Sequence, residues 1–306
     1  MAGQLIKDCV YRFLRLPPLC RYFADTYEFQ RLREIRQLGI VHFVYPSAVH
    51  TRHEHSLGVM HLAGKMVDVL RTSGAFVTDR EKDLIQLAGL LHDVGHIALS
   101  HFLDHMLLVA GHAGHEERSV VLVREMNRRL GLLNAREERM VVKMVLGDST
   151  DEPRPFLFQI VANKGSGLDV DRLDYLARDA YHAGMPSFQP DYLVECARVQ
   201  DGELCFLSKA RHEVELMYQA RTRMFRQVYR HPTVIRVEQT LIQCIFPPDI
   251  IEWVQENWRT LDDVELTSYL RKSPQYHRMY TRNWADAPAV PEPAAAAESA
   301  DSVVYV

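Results

Sequence analysis

The stretch with the most chemistry in it is LIQLAGLLHDVGH, residues 84–96, where an imidazole and a carboxylate, His92 and Asp93, stand side by side. Before them Leu84, Ile85, Leu87, Ala88, Leu90 and Leu91 leave almost no polar face. The spacing predicts a helix buried on nearly all sides and stopped by Gly95. Two ionisable groups at the end of such a helix are costly without a partner. A divalent cation is one partner, because neutral histidine and ionised aspartate both ligate metals. A capping pair in a polar pocket is the alternative.

Three further segments carry groups of the same kind. In TRHEHS, Arg52 and His55 are three apart and share a helical face. In DVDRLDYLARD, Asp171, Tyr175, Arg178 and Asp179 recur at helical spacing, while Leu173, Leu176 and Ala177 face elsewhere. GHIALSHFLD adds His96, His101 and Asp104. The chain has 15 histidines, many of them crowded between His42 and His115, which suits a metal and phosphate site.

The elements that must position these groups are mostly helical. The pattern predicts a strand or turn leading into a helix within residues 1–25, a helix over Thr26–Leu38, a short strand over Val41–Pro46 and a long amphipathic helix over Thr51–Arg71. Helices are expected to follow at Ala98–Ala110, from His115 to Gly131, over 135–146 and in the DVDRLDYLARDAYHAG stretch that Gly184 ends. A hairpin is expected around Asp201–Gly202, then a long helix over His212–His231 stopped by Pro232, and more helix to about Trp284. The fold class is mainly α with a few short strands, and no internal repeat is visible. Residues 285–306 are rich in Pro, Ala and Glu and are expected to be a disordered tail.

With 306 residues, 47% hydrophobic and 25% charged, the composition is that of a globular protein with a sizeable core. A net charge of −4 argues against a global basic field for nucleic acid or anionic membrane. Cys9, Cys20, Cys196, Cys205 and Cys244 form no C-x-x-C pair, so a reducing intracellular location, cytoplasmic with the nucleus left open, is expected. No stretch reaches bilayer-spanning length.

The order H…HD…D, with His and Arg between, resembles the signature of HD-domain phosphohydrolases. Within them the chain is similar to the catalytic domain of the SAM- and HD-domain deoxynucleoside triphosphate (dNTP) triphosphohydrolases. The matching stretches are FQRLREIRQLG, RHEHSLGV, AGLLHDVGHIALSH, HEERS, NKGSGLDVDRLDYLARD and RTRMFRQVYRH, spread from about residue 8 to 282. The family's SAM domain and later C-terminal lobe have no counterpart in this sequence. The resemblance implies an HD-type helical bundle over 1–284, with its metal-binding part at about 50–185.

It also implies roles. His55, His92, Asp93 and Asp171 would hold iron, manganese, zinc or magnesium, and the reaction would be one-step hydrolysis of a dNTP to deoxynucleoside and triphosphate. His101, backed by Asp104, would be the general acid for the departing 5′ oxygen, and His96 and His115 would contact phosphate or relay protons. Arg52, Arg172, Tyr175 and Arg221 would hold the triphosphate, with Arg172 standing where the family has lysine. Gln37 and Asp179 would bind the 3′-hydroxyl. Leu38 and Tyr229 would crowd the 2′ position, where an unpaired hydroxyl costs about 1–3 kcal/mol, roughly 10–100-fold in discrimination.

Asp25, Gln30 and Arg33 match residues that read the guanine of a GTP or dGTP activator between subunits of a homo-oligomer. Three departures bear on this: DCVYR (Asp8–Arg12) replaces D-P-I-H-G, Pro232 replaces a basic residue beside His231, and His53 replaces an aromatic hydrocarbon. Two other readings compete with dNTP hydrolysis. One is another HD reaction on a nucleotide or phosphodiester. The other is weak single-stranded nucleic-acid binding by Arg221, Arg223, Arg226 and Arg230 on an inactive scaffold.

Overall fold

The computed structural model describes residues 3–245 and 248–281. The expected tail at 285–306 lies outside the described residues. The chain opens with an antiparallel hairpin, β1 (Gln4–Asp8) and β2 (Arg12–Leu16), in which Ile6 pairs with Leu14. Helices α1 (Pro18–Ala24) and α2 (Tyr27–Gln30) follow. Next come α3 (Arg52–Thr72), α4 (Asp79–Leu91), α5 (His101–Val109), α6 (His115–Leu130), α7 (Ala135–Val145), α8 (Phe156–Gln159) and α9 (Val170–Ala183). After α10 (Asp191–Glu195), a second hairpin pairs β3 (Ala197–Gln200) with β4 (Glu203–Phe206) around Asp201–Gly202. Helices α11 (Arg211–Met224), α12 (Pro232–Ile245), α13 (Pro248–Asn257), α14 (Asp263–Leu270) and α15 (Pro274–Tyr280) complete the described chain.

The fold is mainly α, and α3 is its spine, packed along α4 and α9. The apolar residues that make the 84–91 stretch legible as a buried helix are nearly inaccessible, Leu87 and Leu90 completely so. The helix begins earlier, at Asp79, because the Thr78 hydroxyl accepts from Glu81 N and the Glu81 carboxylate accepts from Thr78 N, a reciprocal cap. Gly131 and Gly184 end α6 and α9 at φ 65° and 66°, a backbone region that favours glycine.

Four expected elements differ. The predicted helix over Thr26–Leu38 stops early: after α2 a 3-10 turn runs over Arg31–Glu34, and Ile35 is extended so that Arg36 bridges to Thr51. Phe29, Leu32 and Ile35 are buried all the same, so helical spacing here reports burial in a turn. Val41–Pro46 is a 3-10 turn (Val41–Phe43) and no strand, with Tyr45 N donating to Val41 O. The predicted Ala98–Ala110 helix starts at His101, since Leu99 and Ser100 take φ 58° and 55°. Leu99 N donates to Asp263 Oδ1 at 2.7 Å, and Ser100 Oγ donates to Arg36 O at 2.6 Å, which pins the turn. The predicted His212–His231 helix gives way to a π turn over Phe225–Tyr229, and Pro232 starts α12, where its missing N–H costs nothing.

Among the described residues no helix is long and apolar enough to cross a membrane. Among them Cys9, Cys20, Cys196 and Cys205 are free thiols.

Candidate active site

The end of α4, the start of α3 and the first turn of α9 meet at one corner. His55 Nε2 lies 3.1 Å from Asp171 Oδ1 and 3.6 Å from Asp93 Oδ2. His92 Nε2 lies 3.4 Å from Asp171 Oδ1 and 3.5 Å from Asp93 Oδ1. The four side chains come from three segments spread between residues 55 and 171, and the packing of α3 between α4 and α9 brings them together.

Each imidazole is aimed by its other nitrogen. His55 Nδ1 donates to Asp174 Oδ2 at 2.7 Å, and His92 Nδ1 donates to Gly89 O at 2.9 Å. Both rings therefore turn Nε2 into the corner, the arrangement that metal-ligating histidines adopt. His92 Nε2 is buried without a well-formed hydrogen bond. Two imidazoles, two carboxylates and an orphaned buried nitrogen between them fit a divalent cation. Burial pushes His55 down, but its hydrogen bonds to the Asp171 and Asp174 carboxylates overcome it and carry the ring up to about 10. A cation held there would take the place of that proton, which would couple its binding to pH.

Asp174 is the largest omission from the sequence reading. It is fully buried, and burial raises its carboxyl, yet Arg178 and His55 bring it down to about 2. Arg178 Nε and Nη2 donate to it at 3.0 and 3.1 Å, and Nη1 donates to Asp8 Oδ2 at 2.9 Å. The signal was present: Asp174 sits three residues after Asp171 and four before Arg178, which are same-face intervals. Gly58 of α3 makes room for the pair, since a Cβ there would fall 1.9 Å from Asp174 Oδ1.

Beside the corner lies a histidine triad. His96 stacks on His115 at 4.1 Å, and His101 packs edge-on to both at 4.8 and 5.3 Å. Asp104, expected behind His101, instead accepts from His115 Nδ1 at 2.6 Å and from Arg118. The reason is the start of α5 at His101: Asp104 faces α6 one turn on, and α6 presents His115 and Arg118 to it. Burial, Arg52 and His115 together push His101 below the ordinary histidine range. His101 is exposed, so water softens that depression. His96 is completely buried and held well below its usual value by burial and by Arg52.

Two arginines are engaged within the protein. Arg52 is buried and pairs with Asp93, while its Nε donates to Ser100 Oγ at 2.8 Å. Arg172 Nη1 donates to Asp169 Oδ2 at 2.6 Å, because Asp169 caps α9 from below. Burial raises Asp169 to about 6 against the pull of Arg172.

A cavity of about 110 Å³ opens at the corner, walled in part by Gln37, His101 and Tyr175. The same three residues line an adjoining cleft of about 290 Å³ together with Leu38, Asp179, Arg221 and Tyr229. Asp179 accepts from His50 Nε2 and from the Tyr229 hydroxyl, each at 2.7 Å, so both of its oxygens are fixed. His50 is a second residue that the sequence reading passed over. Gln37 Oε1 is buried with no hydrogen-bond partner. Of the expected basic stripe, Arg221 lines this cleft, Arg223 donates to Pro186 O at 3.5 Å, Arg230 lies 3.7 Å from Glu238 and Arg226 is exposed. The π turn divides them, so they form no single face.

Asp25, Gln30 and Arg33 lie outside the cleft. Arg33 Nε donates to Gln30 Oε1 at 2.7 Å, whereas Asp25 pairs with Arg21 at 3.6 Å.

Residues 52–183, which hold every side chain of the corner, match the HD domain family. The chain belongs to the HD-domain phosphohydrolases. It is 33% identical over 240 residues, 75% of its length, to a deoxynucleoside triphosphate triphosphohydrolase SAMHD1 homolog of Dictyostelium discoideum, covering 46% of that protein. It is 33% identical over 261 residues, 74% of its length, to the SAMHD1 triphosphohydrolase of Homo sapiens, covering 42%. The HD chain thus spans less than half the length of either relative. A solved phosphohydrolase of Bacteroides thetaiotaomicron superposes with a TM-score of 0.80 at 28% identity, over 92% of this chain and 77% of that one.

Proposed function

We propose that this HD phosphohydrolase cleaves deoxynucleoside triphosphates to deoxynucleoside and triphosphate. One observation carries the reading: the cavity at the corner of His55, His92, Asp93 and Asp171 shares the walls Gln37, His101 and Tyr175 with a cleft of about 290 Å³ that Leu38, Asp179, Arg221 and Tyr229 also line.

A divalent cation held by those four residues would supply Lewis-acid polarisation of the α-phosphate and of an attacking water. The remaining steps belong to side chains. Arg221 and Tyr175 line the cleft and bind the anionic chain, Arg52 lines the corner cavity, and Arg172 would join them by turning away from Asp169. His101 donates a proton to the departing 5′ oxygen. Burial, Arg52 and His115 disfavour the charged ring in the free protein, and a polyanion would oppose the two like charges, favouring uptake of the proton with substrate. His115, oriented by Asp104, and His96 stand behind it for phosphate contact and proton relay. The unpaired Gln37 amide oxygen is a ready acceptor for the 3′-hydroxyl. Asp179, tied by His50 and Tyr229, joins Gln37 at the 3′-hydroxyl, while Leu38 and Tyr229 crowd the 2′ position and leave a 2′-hydroxyl without a partner, which disfavours ribonucleotides.

The test is product analysis on a panel of dNTPs with several divalent metals. Inorganic triphosphate in equal amount to deoxynucleoside supports the reading, and pyrophosphate or monophosphate assigns the chain to another HD reaction. Running the panel with and without GTP, alongside sizing of the protein, tests activator binding at Asp25, Gln30 and Arg33 in a homo-oligomer.

A further inference from the structure

At the C-terminal end of α9, the turn of the first hairpin meets that helix. Cys9 Sγ lies 3.6 Å from His182 Nε2, and Glu54 Oε2 lies 3.9 Å from the same nitrogen. All three donor atoms fall within 4.8 Å of one another. We propose that Cys9, Glu54 and His182 form a second metal site, for a zinc-class divalent cation, that ties the hairpin to α3 and α9.

The spacing suits tetrahedral coordination. With a sulfur at about 2.3 Å and nitrogen and oxygen at about 2.0–2.1 Å from zinc, sulfur and nitrogen stand roughly 3.6 Å apart and nitrogen and oxygen roughly 3.4 Å. The thiol and imidazole already have this separation, and the carboxylate of Glu54, part-exposed at its tip, needs to close by about half an ångström. Donor softness points the same way, since thiolate with imidazole selects zinc over magnesium or calcium.

The donors are also oriented. The His182 ring stacks on His50 at 4.3 Å and 12°, which fixes its plane. Glu54 Oε1 accepts from Thr51 N at 3.0 Å, leaving Oε2 for the cation. Arg178 is the cation that faces the site, with Nη1 3.9 Å from Cys9 Sγ and 3.7 Å from Glu54 Oε2. Its charge is already matched by Asp174 and Asp8. On binding, the S–H bond breaks, the sulfur–metal bond forms and the proton passes to solvent, with no change in oxidation state. Cys9 is exposed, so the cation has a path in and a fourth position open to water.

The catalytic corner holds only nitrogen and oxygen donors, which makes sulfur a specific reporter. Cobalt(II) titrated into the full chain should produce a thiolate-to-cobalt charge-transfer band. Cys9→Ser should abolish that band and lower bound cobalt by one equivalent, with the circular dichroism unchanged. His182→Gln should weaken the affinity read from the band by about tenfold or more. Glu54→Gln keeps the helix cap, because Gln also serves there, and should weaken it as well. Zinc added to the cobalt form should bleach the band. Folded, cobalt-saturated protein with no such band, or a band that survives Cys9→Ser, overturns the proposal whatever the fate of dNTP hydrolysis.

Discussion

Gly58→Ala separates what a helix wants from what this site needs. Gly58 lies within the 21-residue α3, where alanine is intrinsically favoured by about 1 kcal/mol. The new Cβ would meet Asp174 Oδ1 at 1.9 Å and Arg178 Nη2 at 2.5 Å. To reach ordinary contact the carboxylate must retreat by roughly 1.5 Å. It cannot do so while keeping its bonds to His55 and Arg178. Disrupting a buried ion pair of this kind costs about 3–5 kcal/mol, so the net loss is about 2–4 kcal/mol, or roughly 4–12 °C in Tm. Because Asp174 aims His55, metal affinity should fall about 10–100-fold as well. Denaturant unfolding in chelator measures the first effect and metal titration the second. Gly64→Ala in the same helix is the control: its Cβ would meet the terminal amide of Gln86, a flexible group, so stability should stay close to the parent's. A Gly58→Ala protein at least as stable as the parent, with unaltered metal affinity, would refute the assignment of Asp174 as the group that aims His55.

Three other perturbations follow from the same geometry. His101→Ala should lower kcat by about 10²–10⁴-fold with nucleotide affinity changed only a few-fold, as befits a group that acts on the leaving oxygen; steady-state kinetics with a binding measurement decide it, and lost affinity with normal turnover contradicts the role. Asp104→Asn should shift the ring signals of His115 in NMR and leave those of His101 nearly in place, since the carboxylate is bonded to His115; the reverse pattern restores the sequence pairing. His53 is buried against Phe29 at 5.0 Å and pushed down to about 4 by burial and by Arg33. Its folded value lies below the unfolded one, so protons favour the unfolded chain and stability falls as pH drops from about 6.5 towards 4. His53→Phe should remove roughly 2 kcal/mol of the loss between pH 7 and 5, and parallel unfolding curves for the two proteins at both pH values would exclude it.

Much of this protein could be read from residue order alone. The apolar run before His92–Asp93 has one solution, a buried helix with its polar end at a partner, and intervals of three and four put Asp171, Tyr175 and Asp179 on one face of α9. Those are local relations, set by the helical repeat. Where local pattern was ambiguous, tertiary context decided: Phe29, Leu32 and Ile35 have helical spacing, yet α2 ends at Gln30, and the pairing of Arg36 with Thr51 leaves Leu32 and Ile35 outside it. Whether Asp104 served His101 or His115 depended on the left-handed turn at Leu99–Ser100, held by Asp263 from α14, far along the chain. The role of Gly58 and the meeting of Cys9 with His182 likewise exist only once α9 lies against α3 and the first hairpin. Periodicity fixes which side chains share a face, but which face meets which is settled by how the whole core closes, and that is information no interval of three or four residues contains.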